Sequence, residues 1–213
     1  MHIRNVHIPS ANVSLPGDLN IPEPSRGVVL FAHGSGSSRL SSRNRFVAGQ
    51  LNDAGLATLL FDLLTEEEAR DRRLVFDIGL LSDRLSSAID WLQNDTETSP
   101  LHLGLFGAST GAAAALAAAV GRGDSVSAIV SRGGRPDLAG DALPAVEAPT
   151  LLIVGGLDGP VIEMNENAMS ELAVVEKRLA IVPGAGHLFE EPGKLEEAAT
   201  LAKDWFLRFL RQR

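Results

Sequence analysis

The chain has 213 residues, 45% of them hydrophobic, and a formal net charge of −8. That is enough apolar material for one core, and by length one domain over 1–213 is expected. So acidic a chain has no electrostatic attraction to phosphate backbones or anionic lipid, which leaves nucleic acid and membrane surfaces as poor partners. Cysteine is absent, so disulfides and thiolate metal sites are excluded.

The first ten residues, MHIRNVHIPS, lack the apolar core of a leader peptide, and no segment offers about 18 uninterrupted apolar residues. A cytoplasmic protein is therefore expected. The opening stretches HIRNVHI and NVSLPGDLNIP read as an antiparallel pair joined by a Pro-Gly turn. GVVLFAHGSG (27–36) is an apolar strand running into a Gly/Ser loop. RFVAGQLNDAG is an amphipathic helix that ends at Gly55, and ATLLFDLL (57–64) is the next strand. From Glu66 to Asn94 the helical period continues, with Glu66, Glu67 and Glu68 as a negative first turn suited to the helix dipole. LHLGLFGAS, VSAIVSRGG, TLLIVGGLD and KRLAIVPGAGH are four further strands that end in glycine or polar residues. KLEEAATLAKDWFLRFLRQR closes the chain as an amphipathic helix with basic residues in its final turn. Strands that are apolar throughout are covered on both faces. Their alternation with helices predicts an α/β fold: a mostly parallel central sheet with helices on both sides.

In such a sheet, chemistry collects beyond the carboxyl ends of the strands. Ser109 stands at one of them, in Gly107-Ala108-Ser109-Thr110-Gly111, a G-x-S-x-G pattern. A serine at the tip of a sharp strand-to-helix turn needs glycine two positions before and after it, because side chains there would meet the neighbouring strand and helix. The alternative is a plain N-cap serine between two glycines. Serine is a weak nucleophile until a base takes its proton and a third group orients that base. Asp158 and His187 stand just past two later strands, giving the chain order Ser, Asp, His. Taken singly, Asp158 in LDGP reads equally well as a turn residue and His187 as a loop histidine; together they form a catalytic set. An acyl intermediate also needs two N–H donors for its oxyanion. The N–H of Thr110 and the N–H of Ser35, in the HGS loop after the third strand, are the candidates.

Other residues carry weaker signals. Arg132 and Arg135 flank two glycines at a strand end, where an arginine could hold a substrate carboxylate; a local pair between Arg135 and Asp137 is the simpler reading. His33 reads as support for the oxyanion loop, with substrate contact as its other role. No His/Asp/Glu cluster has metal-ligand spacing, and no cofactor is expected.

With FAHGSGSS, GASTG, GGLDGP and PGAGHLF taken together, the chain resembles an α/β-hydrolase, and more narrowly the small dienelactone-hydrolase-like branch. The resemblance implies Ser109 as nucleophile, His187 as general base and then acid, Asp158 as the orienting acid, and Ser35 and Thr110 as the oxyanion hole. SRGGRPDLAG resembles a stretch of bacterial hydrolases of this branch, some of them joined to a phosphoribosyltransferase domain that is not read in this sequence. The named dienelactone hydrolases use a cysteine nucleophile, which points here to a serine carboxylesterase of related fold. The segment RPDLAGDALPAVEAP is too short for a cap domain, so a shallow, open site for short-chain esters is expected, with few large side chains to line a tunnel. A lactone, dienelactone or thioester hydrolase on the same triad is one alternative, and a non-catalytic binding module is another. The expected partner is a small-molecule ester; a homodimer stays open.

Overall fold

The computed structural model describes residues 2–210. Eight strands form one sheet in the order β1-β2-β4-β3-β5-β6-β7-β8. They are β1 (His2–Ser10), β2 (Val13–Ile21), β3 (Val28–Ala32), β4 (Ala57–Phe61), β5 (Leu103–Ala108), β6 (Val126–Arg132), β7 (Thr150–Gly155) and β8 (Lys177–Val182). β2 runs antiparallel to both β1 and β4, and every later pair in that order, from β4-β3 to β7-β8, is parallel. Every residue of β3, β4, β5 and β7 is buried, as unbroken apolar runs require of strands covered on both faces. The outer strands β1 and β8 instead alternate buried and exposed positions along much of their length.

Two apolar layers sandwich the sheet. Val47 and Leu51 of α1 (Ser42–Asp53) and Ala202 and Phe206 of α6 (Lys194–Phe209) cover one face. The other face is covered by α3 (Ile78–Asn94), α4 (Thr110–Ala119) and Ala168 of α5 (Gly159–Glu171). Nine of the ten residues of α4 are buried. Alanine at those positions lets the helix axis approach the sheet and costs little side-chain entropy. α1 is capped at its C-terminus by Ala54, and Gly55 follows at φ +80°, the left-handed position foreseen for it. α6 carries Arg208 in its last described turn; the expected basic residues Arg211 and Arg213 lie outside the described residues.

Two expectations are corrected. The turn between β1 and β2 falls at residues 11–12, with Ser10 opposite Val13, so Pro16 and Gly17 lie inside β2. The Pro16 carbonyl accepts the Asp62 N–H at 3.0 Å. Its nitrogen thus faces the same side, where the β2–β4 ladder ends and a missing donor is tolerated. The 66–94 stretch is also not one helix. It breaks into a short 3-10 turn (Glu68–Arg70), α2 (Arg72–Val75) and α3. Each piece has its own cap. Thr65 Oγ1 accepts from the Glu68 N–H while the Glu68 carboxylate accepts from the Thr65 N–H, Asp71 accepts from the Arg73 N–H, and Asp77 accepts from the Leu80 N–H. Caps of this kind restart a helix without disturbing the apolar period.

Candidate active site

Ser109 sits between β5 and α4 with φ +52° and ψ −123°, a strained conformation for a residue with a side chain. A Cβ on Gly107 would lie 2.4 Å from Ala112 Cα, and one on Gly111 would lie 2.2 Å from the Ala32 carbonyl oxygen. Both glycines are therefore steric requirements of the turn, as expected from the sequence. Ser109 occupies the N-cap position of α4, yet its hydroxyl makes no capping hydrogen bond.

Asp158 behaves in the same way. It is the N-cap residue of α5 without capping it; instead its Oδ2 lies 2.7 Å from His187 Nδ1. The loop after β7 is pressed against the loop after β8, where the Leu157 N–H donates to the Ala185 carbonyl. A Cβ on Gly155 would come within 2.4 Å of that same oxygen. With a carboxylate on Nδ1, that nitrogen carries the proton and Nε2 presents its lone pair. The Asp158 side chain is 14% exposed and the His187 side chain 40%, so the acid is screened and the imidazole is reachable. Ser109 and His187 line one cleft of about 260 Å³, together with Gly34, Ser35, Ser37, Asn44 and Arg132.

The loop after β3 is tied down from two sides. The Ser35 N–H donates to Thr110 Oγ1 at 2.9 Å. His33 bridges backbone groups: its Nδ1 faces the Gly34 carbonyl at 3.0 Å, and its Nε2 accepts the Leu63 N–H at 3.0 Å. Those partners assign the proton to Nδ1, and burial keeps the ring below the ordinary histidine pKa. With both nitrogens engaged, His33 braces the loop and offers no free ring nitrogen to a substrate, which corrects its second expected role.

Arg135 pairs in a fork with Asp137, at 2.8 and 2.7 Å, and does not line the cleft. Arg132 does. It is 7% exposed, and its Nη2 reaches Asn44 Oδ1 only at 3.4 Å. Nε and Nη1 have no partner among the described residues. The Phe106 and Phe189 rings lie 6.0 and 5.9 Å from its guanidinium carbon. Burial, with the charge of Arg43 as the second cause, lowers its pKa to about 10.

Sequence reasoning missed three supporting residues. The Glu191 carboxylate accepts the Gly186 N–H at 3.0 Å, which anchors the turn before His187 and holds that carboxyl below its usual range. Asn165, fully buried in α5, donates to the Gly134 carbonyl at 3.0 Å. Asn44, 2% exposed, faces Arg132. A polar residue on the apolar stripe of a helix is the one signal that marks the two asparagines; Glu191 has none.

A second cavity, of about 500 Å³, opens on the other side of the Gly34–Ser37 loop. Leu63, Leu64, Val75 and Leu81 supply its apolar wall, with Thr110 and Ser35 at the end nearest Ser109. The large apolar side chains that the sequence reading did not find line this neighbouring cavity, brought there by the segment after β4 and by Leu81 of α3.

The parallel sheet, the strained serine turn and the acid–imidazole pair beyond adjacent strand ends define the class of α/β-hydrolases. Solved structures agree in fold: a Xanthomonas campestris α/β serine hydrolase described as lacking a lid aligns at TM-score 0.79 and 20% identity, over 99% of this chain and 96% of its own. The profile of the dienelactone hydrolase family matches residues 16–213, so the chain belongs to that family. A crystal structure named dienelactone hydrolase from Anabaena variabilis is 58% identical, covers 99% of both chains and superposes at TM-score 0.96. A Mycobacterium tuberculosis protein with a provisional phosphoribosyl transferase name is 57% identical over 205 residues, which are 96% of this chain and 46% of that protein. The chain thus spans about half the length of the curated relatives it matches first. Among the described residues, no helix is long and apolar enough to cross a membrane.

Proposed function

We propose that the chain hydrolyses carboxylic esters through an acyl-enzyme on Ser109. His187 Nε2 takes the serine proton as Oγ attacks the ester carbonyl, then returns it to the leaving alcohol. Asp158 fixes the tautomer and stabilises the imidazolium. The oxyanion forms between the N–H groups of Thr110 and Ser35. At rest the Ser35 N–H is held by Thr110 Oγ1, so the oxyanion displaces a neutral acceptor and forms a charge-assisted bond, which is the stronger of the two. Water then attacks the acyl-enzyme, activated by the same imidazole.

One observation carries this reading. Two residues at helix N-caps, Ser109 and Asp158, both leave capping undone, and the Asp158 carboxylate goes to His187 at 2.7 Å instead. A cap serine and a turn aspartate would have spent those oxygens on their own helices. The same contact counts against the non-catalytic module, which has no use for an oriented base.

Short-chain esters are the substrates we favour. A lactone is a second reading, supported by membership of the dienelactone hydrolase family and by the name of the 58% identical relative. A panel of p-nitrophenyl esters, lactones and thioesters tests the function: turnover of an ester or lactone that vanishes in Ser109→Ala is expected, and turnover retained in that variant would refute the assignment.

A further inference from the structure

Three elements wall the larger, apolar cavity. β2 contributes Ser14 and Pro16, the segment after β4 contributes Leu63, Leu64 and Val75, and α3 contributes Leu81. Packing holds the middle element only loosely, since none of the residues from 65 to 80 is buried. A stretch with so few buried apolar contacts opens locally at low cost, so its polar ties decide where it lies. The chief tie is Arg84 of α3, which is 6% exposed and stands outside the cavity lining. Its Nη1 donates to the Ser10 carbonyl, at the end of β1, at 2.7 Å. Its Nη2 donates to Glu68 Oε1 at 2.9 Å. Glu68 Oε2 accepts the Thr65 N–H at 2.9 Å, so one carboxylate grips both the guanidinium and the backbone of the segment. A single side chain thus joins the β1–β2 hairpin, the segment after β4 and α3. The planar guanidinium holds its acceptors in a fixed fork, and removing one partner of so buried a charge pair leaves the other uncompensated.

We propose that Arg84 is a positioning residue for selectivity: by holding Ser10 and Glu68 at once, it fixes the width of this cavity and the size of the apolar group that a substrate can place there. No aromatic ring among the described residues lines the cavity, so the group it takes is aliphatic. That this group is the acyl chain of an ester rests on the hydrolase reading above; the latch and the cavity do not.

Two readouts on Arg84→Met and Glu68→Gln test this. The first is tryptic cleavage after Arg70, Arg72 and Arg73, all exposed in the segment, followed by mass spectrometry. It should be roughly tenfold faster or more in either variant, while cleavage elsewhere keeps its wild-type rate. Glutamine at 68 leaves one oxygen for two donors, so it loosens the latch without changing its size. The second readout is the ratio of kcat/KM on p-nitrophenyl hexanoate to that on the acetate. It should fall about fivefold or more, chiefly through a higher KM for the hexanoate, because a widened cavity loses contact with the added CH₂ groups. A merely structural loss would raise cleavage throughout the chain and lower both esters alike. The proposal is overturned if the segment is cut no faster in either variant, or if it is cut faster while the ratio stays at the wild-type value. Should Arg84→Met fail to fold, wild-type behaviour of Glu68→Gln in either readout overturns it equally. A wild type that turns over neither ester refutes only the hydrolase reading, and calorimetric titration with hexanamide then replaces the kinetics. Binding weaker in the variants than in wild type supports the proposal; equal binding, or none in wild type, overturns it.

Discussion

Two cavities meet at the loop of residues 34–37, and they differ in kind. The one holding Ser109, His187 and Arg132 is polar and cationic and measures about 260 Å³. The other, about 500 Å³, is walled by leucine and valine from the segment after β4 and from the first turn of α3. The first is built from the carboxyl ends of β3, β5, β6 and β8, whose positions the sheet fixes. The second depends on a 3-10 turn, the short α2 and the start of α3, three separately capped helical pieces. On the proposed reading, chemistry belongs to the side that the sheet fixes and the acyl chain to the locally built side, and Ser35 lines both cavities.

The largest expected effect lies on the polar side. Ser109→Ala should fold normally and lower kcat by roughly 10⁴-fold or more, leaving what the oxyanion donors and binding supply; near-unchanged turnover would remove the polar cleft from the chemistry. Asp158→Asn comes next. It keeps the shape but lets the imidazole take the wrong tautomer, and kcat should drop by about 10³- to 10⁴-fold. Normal kinetics in that variant would require another acid. Asp62 is not available for that role, since it accepts from the Arg39 backbone N–H at 2.7 Å and pairs with the Arg39 side chain.

On the apolar side, Ala69 is exposed and lines the cavity mouth. Ala69→Trp should leave acetate esters untouched while removing much of the gain from each added CH₂. Burial of one CH₂ is worth ~0.8 kcal/mol, about fourfold in kcat/KM. A chain-length series on both proteins checks this; identical profiles would mean that acyl chains do not enter the cavity.

The smallest expected effect concerns His33, which joins the two sides as a neutral bridge. Its folded pKa lies below the ordinary 6.5 through burial. Between those two values the unfolded chain binds more protons than the folded one, so stability falls as pH drops below about 6.5. His33→Gln should flatten that part of the curve. Tm values measured from about pH 7 to about pH 5 give the slopes, and equal slopes would contradict a buried neutral ring.

The polar side was far more legible in the sequence than the apolar one, for physical reasons. Gly107, Ser109 and Gly111 are readable because only glycine tolerates 2.2–2.4 Å approaches at fixed spacing around the serine. The parallel strands are readable because double-sided burial leaves continuous apolar runs. Leu64, Val75 and Leu81 gave no such signal. Leu64 was read as the end of a strand, and the helical period that holds Val75 and Leu81 ran on across Asp71 and Asp77, where the caps at those aspartates break the helix. The unpaired state of Arg132 was likewise hidden: the sequence places it at a strand end, but whether an acid waits there is decided by elements far apart in the chain.

The central claim is that Ser109 is an activated nucleophile, and covalent labelling by a fluorophosphonate, read by peptide mass spectrometry, tests it most directly. The account predicts one adduct, on the peptide carrying Ser109, formed quickly in wild type and at least about a hundredfold more slowly in His187→Ala, since the hydroxyl then loses its base. An unlabelled protein, or an adduct on another residue, would contradict it.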